Sequence, residues 1–523
     1  MVDLRAADLR FNRQETGEFS HTCMPLGLSE NDIAVLDQRV EGWVAGLQLA
    51  GLSMEGLADR QAFIQAFTGD DRYILDYLTQ EILSRQLPEI QDFPLKTYIL
   101  ERMNAGLCEE LTGGQAPLPG GLSQSSAGGA QAILEYLDRA NLFIIPPDNR
   151  RTWYRYHVLF ADLLQVQLRQ KEPAAVKELH LQAAAWFAAH GFPAEAFQHA
   201  IQAGDLEKAA GLLGRQLPEL VQHGETATLQ AWLDMFPQAM LMSRPELCLA
   251  SAWVALYRID FDQVEGWAQR AMEALTGAAG IFSDLEMVDF QGQLDALRST
   301  VAINRNHFDQ AIQLSESALQ KLHGNTETLR ALLYLNLGDA YCWRGDFSSA
   351  ARAFQDGLEV CRSAGNHTLD VIIIGGLGNL FARLGHLHQG EAILQQALVM
   401  EKDQMGGGGP QLLACGKALA FLACIYIEWN QLDKALQLAD NALDYCQKWR
   451  HPWHLLECWI NLANLKELEG DPDAGLVTLD RARAQVRQAA RTPGTRAPVR
   501  DYLARLDATE MHLRMRQGKF LNG

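Results

Sequence analysis

The sequence predicts an all-α fold in which a small winged-helix unit is followed by an α-solenoid superhelix of paired helices. Apolar residues recur with helical period along nearly the whole chain, and alternating Val, Ile and Thr are scarce. One short stretch, residues 142–156, has the pattern of a strand pair and lies between two helical segments. A motif of small and aromatic residues recurs about every 40 residues, which indicates stacked helix pairs.

Composition narrows the class of protein. A chain of 523 residues with 48% apolar content exceeds a single hydrophobic core, so we expect about two to four domains. A net charge of −19 argues against direct binding of DNA, which needs clustered Lys and Arg on the phosphates. No apolar run reaches the roughly 18 residues of a membrane helix, and no signal peptide opens the chain. We therefore expect a cytoplasmic protein with no membrane contact, and nine cysteines that are mostly buried thiols.

The winged-helix unit is predicted from one helix–hairpin–helix pattern. Strands at 142–145 and 152–156 are separated by a turn at Pro146–Arg150, and helices are expected at 130–140 and 158–171. The Gly-, Pro- and Ser-rich residues 113–129 are expected to form a flexible surface loop within this unit. Gly406–Pro410 is a second loop, which lacks the Gly-Lys-Ser/Thr ending of a phosphate-binding loop.

The repeat is clearest at Tyr334-x2-Leu337-Gly338-x2-Tyr341-x8-Ala350-x3-Phe354-x2-Gly357. This spacing resembles the tetratricopeptide repeat, in which the small residues lie where two antiparallel helices touch. One such pair cannot bury its apolar face alone, so several pairs must stack. Similar codes occur at 374–397, 419–442 and 459–482, and 295–318 fits only weakly.

A second marker of the repeat is the turn within each pair, where a small or polar residue precedes the large apolar residue that opens the second helix. It occurs at Gly204-Asp205-Leu206, Asp260-Phe261, His307-Phe308, Gly345-Asp346-Phe347, Gly385-His386-Leu387, Gln431-Leu432 and Gly470-Asp471-Pro472. The same turn returns at Arg516–Phe520, three residues before the chain ends. We therefore expect a solenoid cut within a repeat, and a chain that is a fragment of a longer one.

Several separated motifs carry a family resemblance. They are Asp3–Phe11, Glu41–Ala50, Arg72–Leu78, Arg139–Phe143 and Tyr154–Leu164. Together they resemble the MalT type of large ATP-binding, LuxR-family transcription regulators, closely over about residues 3–260 and by architecture beyond. The resemblance implies a switch with a nucleotide-binding domain, a helical lid with a winged helix, a repeat sensor for an inducer and a C-terminal helix-turn-helix. ADP would hold its closed form, and inducer with ATP would favour an active oligomer.

The chain departs from this family pattern in two respects. It contains no G-x4-G-K-[S/T] motif, and no helix-turn-helix follows the repeats. We therefore expect no cofactor in this chain alone, although ATP or ADP is implied for a full-length relative. The resemblance divides the chain into the end of the nucleotide domain with the lid (1–70), the winged helix (71–170), a helical arm (171–245) and the sensor repeats (246–523).

Two nucleotide-contacting residues are carried over from the resemblance. Gly46–Ala50 looks like the G-L-P-L-A lid motif of related switch ATPases, with Gln48 in place of proline, and in those proteins the turn lies against the adenine. His157 resembles the winged-helix histidine that reaches the ADP phosphate. Gln48 could equally begin a helix packed in the lid core, and His157 could be a histidine with protein partners at a helix start.

The predicted ligand groove is the wall formed by the first helix of each pair. Positions counted from the aligned small residues combine carboxylates, amides, bases and one tryptophan, which suits a polar ligand with an apolar face, such as a sugar or a peptide. Each position could also be an ordinary solvated one. The residues are Asp339, Trp343, Asn379, Arg383, Lys417, Glu428, Glu457, Asn461, Asn464 and Glu467.

No catalytic set of residues is evident, so we expect no enzyme activity. His180, His190 and His199 lack the spacing of metal ligands. The favoured hypothesis is the inducer-sensing portion of a MalT-like activator, with a small-molecule inducer or a protein partner in the groove and possible self-association. The alternative is a stand-alone adaptor that binds another protein through the repeats. The identity of the ligand stays open.

Overall fold

Helices dominate the computed structural model, which describes residues 10–22, 28–54, 60–67, 77–79, 86, 88–113, 129–140, 142–146, 152–171, 173–258, 260–277, 282–324, 326–406, 413–449, 452–489 and 499–516. The chain divides into two compact units, Met1–Leu212 and Leu213–Gly523. No helix in the described part of the chain combines the length and the apolar character needed to cross a membrane.

The first unit begins with four helices: α1 (Arg13–Thr22), α2 (Glu30–Val40), α3 (Val44–Met54) and α4 (Arg60–Ala66). Helix α2 starts at a capping box, in which Ser29 Oγ accepts a hydrogen bond from the Asp32 amide and the Asp32 carboxylate accepts one from the Ser29 amide. It ends at Glu41, whose left-handed φ of 47° turns the chain toward α3.

The predicted helix–hairpin–helix pattern is present in the same unit. It comprises α5 (Pro88–Thr97), α6 (Ala105–Thr112), α7 (Gly129–Arg139), β1 (Ile144–Ile145), β2 (Arg155–Tyr156) and α8 (Val158–Lys171). The strands are antiparallel, with Ile144 opposite Tyr156, and an isolated bridge joins Met103 to Tyr154. Residues 147–150 of the predicted turn and 114–128 of the predicted loop lie outside the described residues.

Two histidines form a buried pair between α9 (Pro173–Ala189) and α10 (Pro193–Gln202). His180 Nδ1 and His199 Nδ1 are 2.8 Å apart, and the Phe187 ring stacks on His199. Burial lowers the pKa of His180; burial and the neighbouring His180 lower the pKa of His199 to about 4. Both rings are therefore neutral in the folded protein at neutral pH, and one Nδ1–H donates to the other nitrogen.

This histidine pair makes stability depend on pH. An unfolded histidine has a pKa near 6.5, so between about pH 6.5 and about pH 4 the unfolded chain takes up the proton more readily. We expect the stabilisation to be complete above pH 6.5 and to fall by about 1–2 kcal/mol as the pH drops to about 5. Urea unfolding at several pH values, compared between wild type and His199→Phe, measures the effect. His157 also has a lowered pKa, but it is common to both proteins, so equal pH dependence in the two would contradict the assignment.

The second unit is a stack of helix pairs preceded by the end of α11 (Leu206–Gln222), α12 (Thr226–Leu233) and α13 (Gln238–Ser243). Within each pair we refer to the first helix and the second helix. The pairs are α14 (Pro245–Tyr257) with α15 (Phe261–Gly277), α16 (Asp284–Asn304) with α17 (Phe308–Lys321), α18 (Glu327–Arg344) with α19 (Phe347–Ala364), α20 (His367–Arg383) with α21 (Leu387–Gly406), α22 (Cys415–Glu428) with α23 (Leu432–Trp449), and α24 (Pro452–Leu468) with α25 (Pro472–Ala489). A further first helix, α26 (Val499–Arg516), follows.

The turn marker is confirmed, because the second helices begin at the residues it predicts. The chain leaves the first helices α16, α18, α20, α22 and α24 through a residue of positive φ, and the next amide donates a hydrogen bond to a carbonyl near the end of that helix. Glycine takes this position at Gly345, Gly385 and Gly470, and asparagine takes it at Asn306 and Asn430. The weakly matching stretch 295–318 lies within α16 and α17, which form a complete helix pair like the others. The last predicted turn marker is the one at 516–520, and its residues 517–520 lie outside the described residues.

Candidate ligand-binding face of the repeats

The first helices of successive pairs pack directly on one another. Contacts run from α14 to α16, from α16 to α18, and onward along the stack to α26, whereas the second helices from α15 onward make less contact with each other. A stack whose first helices approach more closely than its second helices curves toward the first helices. The first-helix face, defined as the wall made by α16, α18, α20, α22 and α24, therefore carries the predicted groove positions.

Two of the predicted groove residues are buried ties between first helices. Lys417 is 7% exposed; its Nζ donates to the Ile372 carbonyl at 3.4 Å, and its stem crosses Gly375, where a Cβ would lie 3.0 Å from Lys417 Cδ. Asn461 Nδ2 donates to the Ala420 carbonyl at 3.0 Å. Both side chains thus hold neighbouring repeats together in this conformation, and their contact with a ligand stays a prediction.

A third tie of this kind was missed by the sequence reasoning. Asn336 Nδ2 donates to Ser299 Oγ at 3.2 Å and to Thr300 Oγ1 at 3.0 Å, which links α18 to α16. Asn336 stands two residues before Gly338, just as Asn461 stands two residues before Ala463. The repeated asparagine at this position was the signal that could have identified it.

A mixed-charge cluster lies on the first-helix face across α18, α20 and α22. Asp339 is half-buried, and burial raises the pKa of its carboxyl while Lys417 opposes the rise. Cys342 lies in the field of Asp339, Arg383 and Lys417, and burial raises the pKa of this thiol to about 12. Within the described residues Asp339 makes no hydrogen bond, so its carboxylate is held by charge alone. The sequence predicted three of these residues and missed Cys342.

Aromatic residues flank this mixed-charge cluster. Trp343 is 52% exposed and stacks on Phe308 with ring centroids 5.7 Å apart. The exposed Arg383 guanidinium lies 5.6 Å from the centroid of Phe347. Phe308 and Phe347 each open a second helix, so the repeat pattern itself positions the two groups. Asn379, one residue after Gly378 as Asp339 is after Gly338, is half-buried on α20.

An acidic cluster occupies the first-helix face further along, on α22 and α24. Glu457, Asn461 and Glu428 surround Cys424, whose thiol pKa is raised to about 12 by burial and by Glu457. The Asn461 side-chain oxygen accepts a hydrogen bond from this thiol at 3.3 Å. Glu457 also forms an ion pair with Arg505 Nη1 at 2.5 Å, and Glu428 is exposed. Asn464 and Glu467 lie half-buried on α24.

The two predicted nucleotide-contacting residues lie in the first unit. Gln48 is exposed on α3. His157 is buried: its Nε2 donates to the Val40 carbonyl at 2.9 Å, and its Nδ1 accepts from the Leu159 amide at 3.3 Å. Burial lowers the pKa of His157, which keeps the ring neutral. Both ring nitrogens therefore have protein partners here, and contact with a nucleotide stays a prediction for both residues.

The contacts of His157 belong to a larger junction between α2 and the hairpin. Arg155 makes a bidentate ion pair with Glu41, each nitrogen 2.9 Å from a carboxylate oxygen. The Trp43 ring meets Phe143 edge-on at 5.0 Å. The end of α2 is thus tied to the hairpin by charge, by hydrogen bonds and by aromatic packing. In the described part of the chain no three His, Cys, Asp or Glu side chains are placed to hold a metal ion.

Two protein families match parts of this chain. The family described as the MalT winged helix domain matches residues 79–176, and the family described as the MalT-like TPR region matches residues 292–517. These ranges contain the hairpin with its flanking helices and the pairs from α16 onward. The predicted family resemblance and the predicted fold class are therefore confirmed.

Individual relatives and a solved structure are similar to this chain over most of its length. The HTH-type transcriptional regulator MalT of Yersinia enterocolitica is 26% identical over 486 residues, which is 92% of this chain and 52% of that protein; MalT of Yersinia pestis has the same identity and coverage. The chain spans about half the length of the curated relatives it matches. A crystal structure of a STAND protein with a tetratricopeptide repeat sensor from Pyrococcus horikoshii shares the fold. Its TM-score is 0.54 at 14% identity, covering 98% of this chain and 73% of that one.

Proposed function

Since the chain carries a MalT-type winged helix and MalT-like repeats, we propose that it serves as the inducer-sensing and regulatory part of a MalT-like, LuxR-family transcription activator. In this proposal the first-helix face binds a small polar ligand. The observation that supports it most directly is the half-buried Asp339 carboxylate in the field of Lys417, because that carboxylate has no hydrogen-bond donor among the described residues.

The charges along the face favour a ligand with polar groups of both kinds. The mixed-charge cluster has two basic side chains, Arg383 and Lys417, for one acid, Asp339. The acidic cluster on α22 and α24 has Glu428 in addition to the paired Glu457. A ligand that donates to Asp339 and accepts from Arg383 at the first cluster, and donates to the carboxylates of the second, would complete both. A polyhydroxyl compound or a short peptide meets this requirement, with the exposed Trp343 ring as an apolar platform.

Ligand binding at this face would change the conformation of the rest of a regulator through the side chains that join neighbouring first helices. Asn336, Lys417 and Asn461 each join one first helix to its neighbour. A ligand that pairs with Asp339 and Lys417 would compete with or strengthen the tie to Ile372, and so change the packing of α20 against α22. A ligand that favours one packing of these helices would change the curvature of the stack, and binding would thereby be converted into a change of conformation.

The test is a thermal-unfolding screen of the full chain with a panel of oligosaccharides and short peptides. We expect at least one compound to raise the melting temperature, and Arg383→Ala or Asp339→Asn to weaken its binding by about tenfold or more, since each removes a charge-assisted hydrogen bond. Arg352→Ala, an exposed arginine on the second helix α19, is the matched control and should bind as wild type. A hit that binds equally well to all variants would place the ligand elsewhere.

The same screen separates this proposal from a stand-alone adaptor that binds proteins. An adaptor should respond to extended peptides of several residues and to no saccharide, because its face would recognise backbone and side chains together. A response confined to extended peptides, with none to short peptides or saccharides, and lost in Arg383→Ala, would favour the adaptor.

A further inference from the structure

A cavity of about 530 Å³ lies on the side of the repeats formed by the second helices. Its wall consists of the end of α19, the turn at Gly365 and Asn366, the first turn of α20 and one side of α21. The ten predicted groove residues do not line it. Its volume falls in the range of about 300–1,000 Å³ that is usual for small-molecule sites. A second cavity, of about 30 Å³ beside Thr326 and Thr328, has room only for water.

The local chain geometry explains why this space is open. Gly365 has a φ of 67° and ends α19, and Asn366 then caps α20 by accepting a hydrogen bond from the Leu369 amide at 3.0 Å. The Asn366 side-chain nitrogen also donates to the Gln222 carbonyl of α11 at 3.4 Å, which holds the turn in place. Opposite the turn, α21 presents the small side chain of Ala392. The wall opposite α21 is thus built from helix ends that are fixed by their own hydrogen bonds.

The wall of the cavity contains a buried acceptor without a donor. Asp370 is 4% exposed, and in the described part of the chain its Oδ1 is buried with no hydrogen-bond partner. Its other oxygen, Oδ2, lies 4.0 Å from Arg362 Nε, which is the limit of an ion pair. Burial raises the pKa of this carboxyl, and Arg362 and His367 oppose the rise. A buried carboxylate oxygen without a hydrogen-bond partner costs free energy unless a donor reaches it.

The remaining wall residues indicate what kind of molecule would supply that donor. Arg362 already balances the charge of Asp370, so a ligand with a full charge of either sign would leave one charge unpaired. Gln395 and Gln396 offer neutral amide donors and acceptors. Val399, which is 57% exposed, and Met400 provide an apolar side. These features fit a neutral molecule with hydroxyl groups on one edge and hydrocarbon on the other.

We propose that this α19–α21 cavity is a second ligand site, separate from the first-helix face, for a neutral hydroxyl-bearing organic molecule with an apolar side. One hydroxyl donates to the Asp370 carboxylate, and the hydrocarbon part covers Val399 and Met400. A molecule bound here would bridge the second helices of two consecutive repeats, α19 and α21. The site does not depend on ligand binding at the first-helix face, so either can fail without the other.

The experiment is saturation-transfer NMR on the full chain with three probes that share one ring. They are 1,4-cyclohexanedimethanol, the cyclohexylmethylammonium ion and the cyclohexanecarboxylate ion, each at a few millimolar, since fragments of this size bind at roughly that level. We expect the diol to give the strongest signal with the wild-type protein. Two variants test the location: Asp370→Leu removes the acceptor, and Ala392→Phe fills the cavity from an exposed position without altering Asp370.

The diol signal should fall at least about fivefold in both variants, in keeping with the loss of one hydrogen bond or of the space itself. Glu359→Leu, which replaces an exposed acid on α19, is the matched control and should keep the signal. Circular dichroism of each variant checks that the helices are intact. A diol signal unchanged in both variants, no diol signal with the wild type, or a stronger signal from the ammonium or the carboxylate probe would each overturn the proposal.

Discussion

Replacing Gly338 with alanine is expected to lower the free energy of unfolding of the repeat unit by about 1–3 kcal/mol, the usual range for overpacking a core. A Cβ at Gly338 would lie 2.4 Å from Cε1 of Phe354 and within 2.7 Å of two further ring atoms. The ring cannot move away, because Phe354 is fully buried and a Cβ at Gly376, on the next first helix, would meet it at 2.8 Å. Phe354 is thus held between two glycines on neighbouring repeats.

Gly266→Ala is the matched control for this substitution. Gly266 lies within the helix α15, and a Cβ there would meet only the end of the flexible Arg270 side chain, at 3.5 Å. Alanine at such a position should stabilise the helix by about 0.5–1 kcal/mol. Guanidinium unfolding followed by circular dichroism should therefore shift the two variants in opposite directions. A Gly338→Ala protein as stable as wild type would show that the small residue of the repeat code does not mark a close helix contact.

The repeat architecture could be predicted from the sequence because it is encoded locally. Each second helix begins one residue after a short turn, and the residues that form that turn are adjacent in the chain. The exception is the pair α16–α17, whose code is weak. There Ser299 and Ser315 stand where the next pair has Gly338 and Phe354, and their hydroxyls are hydrogen-bonded at 2.6 Å, so a polar contact replaces the small-aromatic one although the turn is the same.

The candidate site was less predictable, because its residues are brought together by packing between repeats. Lys417 is a solvated base when positions are counted along a helix, but it is buried because Gly375 on the neighbouring helix leaves room for its stem. The α19–α21 cavity has no motif at all. Its buried acid, Asp370, and the facing Ala392 come from helices that meet only in the folded stack. Neither the burial of Lys417 nor the cavity beside Asp370 can be predicted from the spacing of residues along a single helix.

Replacing His157 with alanine is expected to destabilise the first unit by about 1–3 kcal/mol, because two buried hydrogen bonds are lost, one to the Val40 carbonyl, which keeps only the Trp43 amide as donor, and one from the Leu159 amide. The ring also packs edge-on against Trp43 and Phe143, so its removal leaves a gap in the junction between α2 and the hairpin. His157→Gln retains an amide donor near the position of Nε2 and should recover part of the loss. His21→Ala, an exposed histidine at the end of α1, should leave stability unchanged.

The alternative role of His157 as a phosphate ligand makes the opposite prediction. If its ring were reserved for ADP, removing it would leave the unfolding free energy nearly unchanged and would abolish a stabilisation by nucleotide. We expect instead that neither ATP nor ADP shifts the melting temperature of the wild-type chain, since it contains no phosphate-binding loop motif. A nucleotide shift present in the wild type and absent in His157→Ala would restore the phosphate role. A large loss of stability with no nucleotide response identifies His157 as the residue that holds the hairpin to the end of α2.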